Sequence, residues 1–205
     1  MRKIKLSSQE KETEKDLLAG IYTPVKDDEF QSIAEAIEYT LPEMIERYFS
    51  LNWATISQNE YFTEITKECY NLYVHGYYIS SIMVSQAINE AFARYWIEKN
   101  NHQPKQDEKK GDSVKILVES GILPNEWQEA FQRIQERFRN DYHHINPDIK
   151  NHPHKELAER NLKDLSFLEF EMFKYSLNEG KIVPMYPKYW NIKSDGMIDA
   201  YINFE

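Results

Sequence analysis

The chain has 205 residues, a formal net charge of −9, 41% apolar residues and 14% aromatics. That apolar share supports a packed core and excludes a disordered chain, and the acidic balance argues against a protein that coats duplex nucleic acid. A single cysteine, Cys69, excludes an intramolecular disulfide framework and a cysteine zinc cluster. Scarce glycine and long runs of helix formers point to an all-α fold. No run of about 18 apolar residues calls for a transmembrane helix. The start, Met1 to Lys5 followed by Ser7-Ser8-Gln9-Glu10, lacks the apolar stretch of a signal peptide, so a cytoplasmic protein is expected.

Residues 1–20 are charge-rich and read as a short solvated helix or a loose arm, closed at Tyr22-Thr23-Pro24. Asp27-Asp28-Glu29 opens a helix whose apolar face is Phe30, Ile33, Ala34 and Ile37. Thr40-Leu41-Pro42-Glu43 resets the chain, and a second helix from Pro42 carries Met44, Ile45, Tyr48 and Phe49. A loop is expected from Asn52 to Gln58.

Tyr61, Phe62, Ile65, Cys69 and Leu72 then recur at helical spacing up to a join at Gly76. Tyr77–Lys99 is the strongest helix of the chain. Ile79, Ile82, Met83, Ala87, Ile88, Ala91, Tyr95 and Trp96 give it a wide apolar stripe and a central place in a bundle. Its polar positions of interest are Ser85, Gln86, Asn89 and Glu90. Asn100–Asp112 reads as a surface loop, followed by a short helix with Val114, Leu117 and Val118 that ends at Gly121. Pro124-Asn125-Glu126 starts a helix with Trp127, Phe131, Ile134 and Phe138 on its buried face, and Asn146-Pro147-Asp148 ends it. A closing helix is expected from Pro153 to about Leu177, with Gly180 as the residue after its cap. The tail from Lys181 reads as extended or turn-rich, with Tyr186, Tyr189 and Trp190 packing on the bundle or on a partner. Ile198, Tyr201, Ile202 and Phe204 fit a short strand or a short helix.

The densest chemistry lies in Phe138-Arg139-Asn140-Asp141-Tyr142-His143-His144. Metal binding by Asp141, His143, His144, His152 and His154 is disfavoured. Adjacent histidines point about 100° apart on a helix, and His152 and His154 would need their loop to fold back. The spacing matches no ligand signature, so no metal and no cofactor is assigned. No nucleophile elbow or glycine-rich phosphate loop occurs. An arginine can hold phosphate oxygens and stabilise growing charge, and a histidine can move a proton near neutral pH. Together they suffice for metal-free RNA cleavage by a ribose 2′-hydroxyl. The same residues also fit a solvated helix end.

Arg139-Asn140-Asp141-Tyr142-His143-His144 resembles the R-x4–6-H motif of the HEPN superfamily (higher eukaryote and prokaryote nucleotide-binding domains), in which a polar residue such as Asn140 often follows the arginine. The helix through Gly76-Tyr-Tyr-Ile-Ser-Ser-Ile-Met-Val-Ser-Gln-Ala-Ile-Asn-Glu90 is similar to the family's first core helix. The loop, short helix, motif helix and closing helix follow in the family's order. The resemblance covers about residues 60–178 and implies an up-down four-helix bundle, with 1–59 as a helical extension and 179–205 as a tail. Many members are metal-independent endoribonucleases, often toxins of toxin–antitoxin pairs or phage-defence effectors. They act as homodimers whose motifs meet. Carried over by position, Arg139 holds the scissile phosphate and His144 is the general acid/base, with Asn140 in support. Glu90 or Asn89 is then the polar residue of the earlier helix that faces them. Asp141, Tyr142 and His143 stand beside the pair, and Arg137 with His143 also satisfies the spacing. The implied partners are RNA or a nucleotide, a second copy, and an antitoxin or other protein, with no membrane. The alternative of another class is a non-catalytic nucleotide- or protein-binding helical module.

Overall fold

A computed structural model describes the backbone of residues 8–52, 56–58, 60–101, 113–136 and 138–202, and of these 8–27 and 202 by backbone alone. The chain is predominantly helical, as its composition requires. Helix α1 runs Ser8–Phe49, followed by strand β1 at Ile56–Gln58 and helices α2 (Thr63–Val74), α3 (Tyr78–Lys99), α4 (Ser113–Glu119) and α5 (Asn125–Glu136). Helix α6 (Arg139–His144), a 3₁₀ turn at Pro147–Asn151 and helix α7 (His154–Met172) come next. Strands β2 (Tyr175–Asn178) and β3 (Lys181–Pro184), a 3₁₀ turn at Pro187–Tyr189 and strand β4 (Ala200–Ile202) complete the chain.

Two compact units are present, Met1–Glu46 and Arg47–Glu205. The division falls within the last turns of α1, earlier than the expected boundary at 59, and the tail belongs to the second unit. The 42 residues of α1, all but its last turn in the first unit, form one helix where an arm and two helices were expected. A proline removes one backbone donor and kinks a helix, but neither Pro24 nor Pro42 ends this one. Its face of Phe30, Ile33 and Ile37 is exposed rather than buried.

In the second unit α3 is central, packing against α2, α4, α5, α6 and α7. The α2–α3 join follows from one residue. Gly76 takes φ +85°, its N–H reaches Tyr73 O at 2.9 Å, and Tyr77 N–H reaches Leu72 O at 2.8 Å. This is the Schellman closure, which favours glycine at that position. Arg47, 5% exposed, covers the same end by donating from Nε to Val74 O at 2.7 Å. The core between the helices is strongly aromatic. Phe62 meets Phe92 at 4.8 Å and Tyr95 at 5.3 Å between ring centroids, and Trp96 meets Trp127 at 4.6 Å.

Three polar residues of α3 tie this core together. Asn89 Nδ2 donates to Phe131 O at 3.0 Å, Gln86 Nε2 to Ile134 O at 3.4 Å, and Asn161 Nδ2 of α7 donates to Ser85 Oγ at 2.9 Å. All four side chains are buried, where an unpaired amide is costly.

The strands qualify the all-α expectation. The segment expected to extend α7 to Leu177 leaves the helix after Met172 and forms the β2–β3 hairpin, with Tyr175 opposite Pro184 and Asn178 opposite Lys181. Glu179 and Gly180 take φ +50° and +77°, the two-residue turn with positive φ that suits a hairpin. Gly180 is therefore a hairpin residue and not a helix cap. The expected loop at 52–58 contains β1, which pairs antiparallel with β4, Ile56 opposite Ile202; the open choice at 198–204 resolves at 200–202 as a strand, and Phe204 lies outside the described residues. The tail packs on the bundle: Tyr189 and Trp190 are buried, Tyr95 donates its hydroxyl hydrogen to Tyr189 O at 2.7 Å, and Tyr189 lies 4.3 Å from the Trp96 ring. No helix among the described residues is long and apolar enough to cross a membrane.

Candidate functional site

The candidate motif does not ride on the end of α5, as its spacing suggests. Helix α5 stops at Glu136, and Phe138 turns the chain at φ +51° before α6 begins. Ile145, also at φ +51°, ends α6 after six residues. Two non-glycine residues in the left-handed region bracket it, and each is an uncommon, costly conformation. Phe138 leaves the buried face predicted for it and is 45% exposed. Arg137, the alternative motif arginine, lies outside the described residues.

A helix this short has little stability of its own, so it must be held from outside. Two histidines do that, because the 145–153 segment folds back along α6. His152 Nε2 lies 2.8 Å from Asp141 Oδ2, and its ring stacks on Phe138 at 4.0 Å. Asn146 Nδ2 donates to the other carboxylate oxygen at 2.9 Å. These hydrogen bonds, Asn146 first and His152 second, hold the Asp141 carboxyl below its usual range. The carboxylate can only accept, so Nε2 of His152 carries the hydrogen. The Tyr142 hydroxyl pairs with His154 Nδ1 at 2.9 Å. Tyr142 is fully buried, and burial, then the nearby Asp141 charge, pushes its phenol up to about 12.

Asp141 and Tyr142 therefore anchor α6, and the other four residues are left for the surface. Asn140, His143 and His144 are exposed. The Arg139 guanidinium, at 37% side-chain exposure, forms an ion pair with Glu90 of α3. Glu90 also faces Arg94 at 3.8 Å through its other oxygen. Two guanidiniums, those of Arg139 and Arg94, thus flank the one Glu90 carboxylate. Of the two candidates on α3, Glu90 meets the motif. Asn89 does not: it is buried, turned to the α5 backbone, and fastens the helix that precedes α6. On an ideal helix His143 stands about 40° around from Arg139 and His144 about 140°, so the two histidines offer different approaches to the same arginine.

Sequence alone missed three contributors. Arg94 was signalled by its i, i+4 spacing from Glu90. His152 and His154 were weighed only as metal ligands; their loop does fold back, but onto Asp141 and Tyr142. No cluster of three or more His, Cys, Asp or Glu residues arranged for a metal occurs among the described residues. Cys69 is buried and its thiol is pushed up to about 12, first by burial, which leaves it unreactive at neutral pH.

Comparison of the chain with family models, with curated proteins and with solved structures gives no match.

Proposed function

We propose that the chain is a metal-independent endoribonuclease of the HEPN type, acting in the cytoplasm as a toxin or antiviral effector. One observation carries this reading. A helix anchored from below by Asp141 and Tyr142 offers Arg139, Asn140, His143 and His144 to solvent, with Arg139 joined through Glu90 to Arg94. Anchoring a six-residue helix with two histidine contacts is an expensive arrangement for surface decoration, and it is what a pre-organised phosphate site needs.

In the proposed reaction the ribose 2′-oxygen attacks the adjacent phosphorus as the bond to the 5′-oxygen breaks. The 2′-hydroxyl proton is lost to a base and the leaving 5′-oxygen gains one. Arg139, with Arg94 nearby, holds the phosphate oxygens and stabilises the charge that builds on them. His144 moves the proton, and His143 stands as its competitor for that role. Asn140 orients the phosphate or the imidazole. The four-helix bundle of this family and its motif-to-motif homodimer belong to the same proposal.

A second reading is supported by the Glu90–Arg139 ion pair: a module that binds nucleotides or a protein through Arg139 and Arg94 and uses no histidine. Incubation of purified protein with single-stranded and structured RNA in EDTA separates the two. The enzyme reading expects cleavage that Arg139→Ala and His144→Ala each reduce by about 100-fold or more, the scale of general acid–base and oxyanion contributions. Including His143→Ala assigns the proton carrier. Cleavage unchanged in both principal variants identifies a contaminant and sinks the proposal. RNA retained without cleavage, and released by Arg139→Ala, establishes the binding module.

A further inference from the structure

Helix α1 carries a row of large apolar side chains out in solvent: Phe30 is 74% exposed, Ile33 59%, Ile37 54%, Leu41 44% and Ile45 48%. Scattered surface apolar residues need no explanation, but a contiguous stripe along one helix does. Its centre follows the alternating four–three spacing of a coiled-coil seam, through Phe30, Ala34, Ile37, Leu41 and Met44. Ile33 widens the seam on one edge and Ile45 on the other. From this geometry we infer that α1 pairs with α1 of a second copy of the chain, side by side and in parallel.

Area supports a second copy as the occupant. At their fractional exposures the five side chains, one aromatic and four aliphatic, present on the order of 500 Å² per copy, so a pair that covers all of it buries roughly 1,000 Å², the area a biological interface has to reach and the range of a weak dimer. Charge sets the direction. Between Asp28 and Glu46 the helix has six carboxylates and no Lys or Arg. Most lie away from the seam, but Glu38 borders it. An antiparallel pair centred on the stripe sets Glu38 against Glu38, whereas a parallel pair places Ile33 beside the Glu38 stem and Thr40 beside Ile45. The inference uses none of the motif residues, and the α1 contact is a different surface from the motif-to-motif contact of the ribonuclease proposal.

The test is sedimentation of the full chain at micromolar concentration, with an Ile37→Glu variant alongside. A dimer is expected that tightens as salt screens the carboxylates, and Ile37→Glu should weaken it at least tenfold with unchanged circular dichroism. Ala34→Cys adds an independent readout. Mild oxidation should join two copies through that position, since native Cys69 is buried and does not compete. A monomer, or a dimer indifferent to Ile37→Glu, overturns the inference. So does a chain that stays monomeric yet binds a synthetic Lys-flanked amphipathic helix or a lipid vesicle through this stripe. A dimer indifferent to Ile37→Glu overturns this contact and leaves the ribonuclease proposal untouched, whereas a monomer also removes that proposal's motif-to-motif homodimer. Loss of cleavage in the motif variants leaves the α1 dimer untouched.

Discussion

Asp141 and His152 illustrate how much a single residue can be asked to do at this surface. The carboxylate orients the imidazole, the imidazole stacks on Phe138, and Phe138 sets the turn into α6. Replacing His152 with Ala should therefore leave the core intact and speed hydrogen exchange of the 139–144 amides, with the α3 amides unchanged. Because the Asp141 carboxyl is held low by its partners, the stabilisation it gives is present above the ordinary carboxylate range. It is lost as pH falls through the lowered folded value. Glu169 behaves in the opposite sense. It is fully buried, and burial pushes its carboxyl up to about 7, with the Ser57 hydroxyl drawing it partly back. Below its ordinary value of 4.5 the group is neutral both folded and unfolded; as pH rises toward 7 the unfolded chain ionises first. Stability should therefore fall over that interval, by about 3 kcal/mol at most on the 1.36 kcal/mol per unit scale. Denaturant melts of Glu169→Gln should remove that slope. A slope that persists places its origin elsewhere.

At the scale of elements, α6 exists because its neighbours compel it. Ile145 is β-branched, 76% exposed and at φ +51°, a conformation that costs an ordinary residue about 1–2 kcal/mol. Ile145→Gly should raise unfolding stability by up to about 1 kcal/mol, less than the full strain because glycine loses more freedom on folding; a decrease would show the strain to be repaid by contacts. Elements with clear periodicity were legible in the sequence. The Trp127–Phe131–Ile134 face of α5 and the Leu157–Leu168 run of α7 stand where spacing placed them. Helix α3 is central as expected, but its buried face is rotated from the expected stripe: Ile79 and Ala87 are exposed while Ser85, Gln86 and Asn89 are buried. Spacing gave no notice of the left-handed turn at Phe138, since that position also fits the helical period of α5. It likewise missed the hairpin after Met172, where Leu177 continues a helical series in sequence while Asn178 and Gly180 supply turn chemistry. Arg139 facing Glu90 was legible only through the family resemblance, which left Asn89 open beside Glu90, and the spacing left Arg137 with His143 open beside Arg139 with His144. His152 and His154 were not, because only the return of the 145–153 segment brings them to α6.

For the whole molecule, the net charge of −9 conceals an uneven distribution. Carboxylates crowd the described part of α1, while Arg94 and Arg139 share Glu90 on the second unit. If that pair meets a polyanion, Arg94→Ala should weaken RNA retention several-fold and make it less salt-sensitive, because neutralising one phosphate fewer lowers the logarithmic salt slope by about 0.7 for single strands. An unchanged slope would remove Arg94 from the surface that meets RNA. The measurement that bears most directly on the central claim is the chemistry of the cleaved ends. Purified protein in EDTA, given an end-labelled RNA, should leave 2′,3′-cyclic phosphate and 5′-hydroxyl termini, and Arg139→Ala and His144→Ala should each abolish their appearance while retaining the wild-type fold. Intact RNA with the wild-type protein, or the same termini at the same rate from both variants, would contradict it.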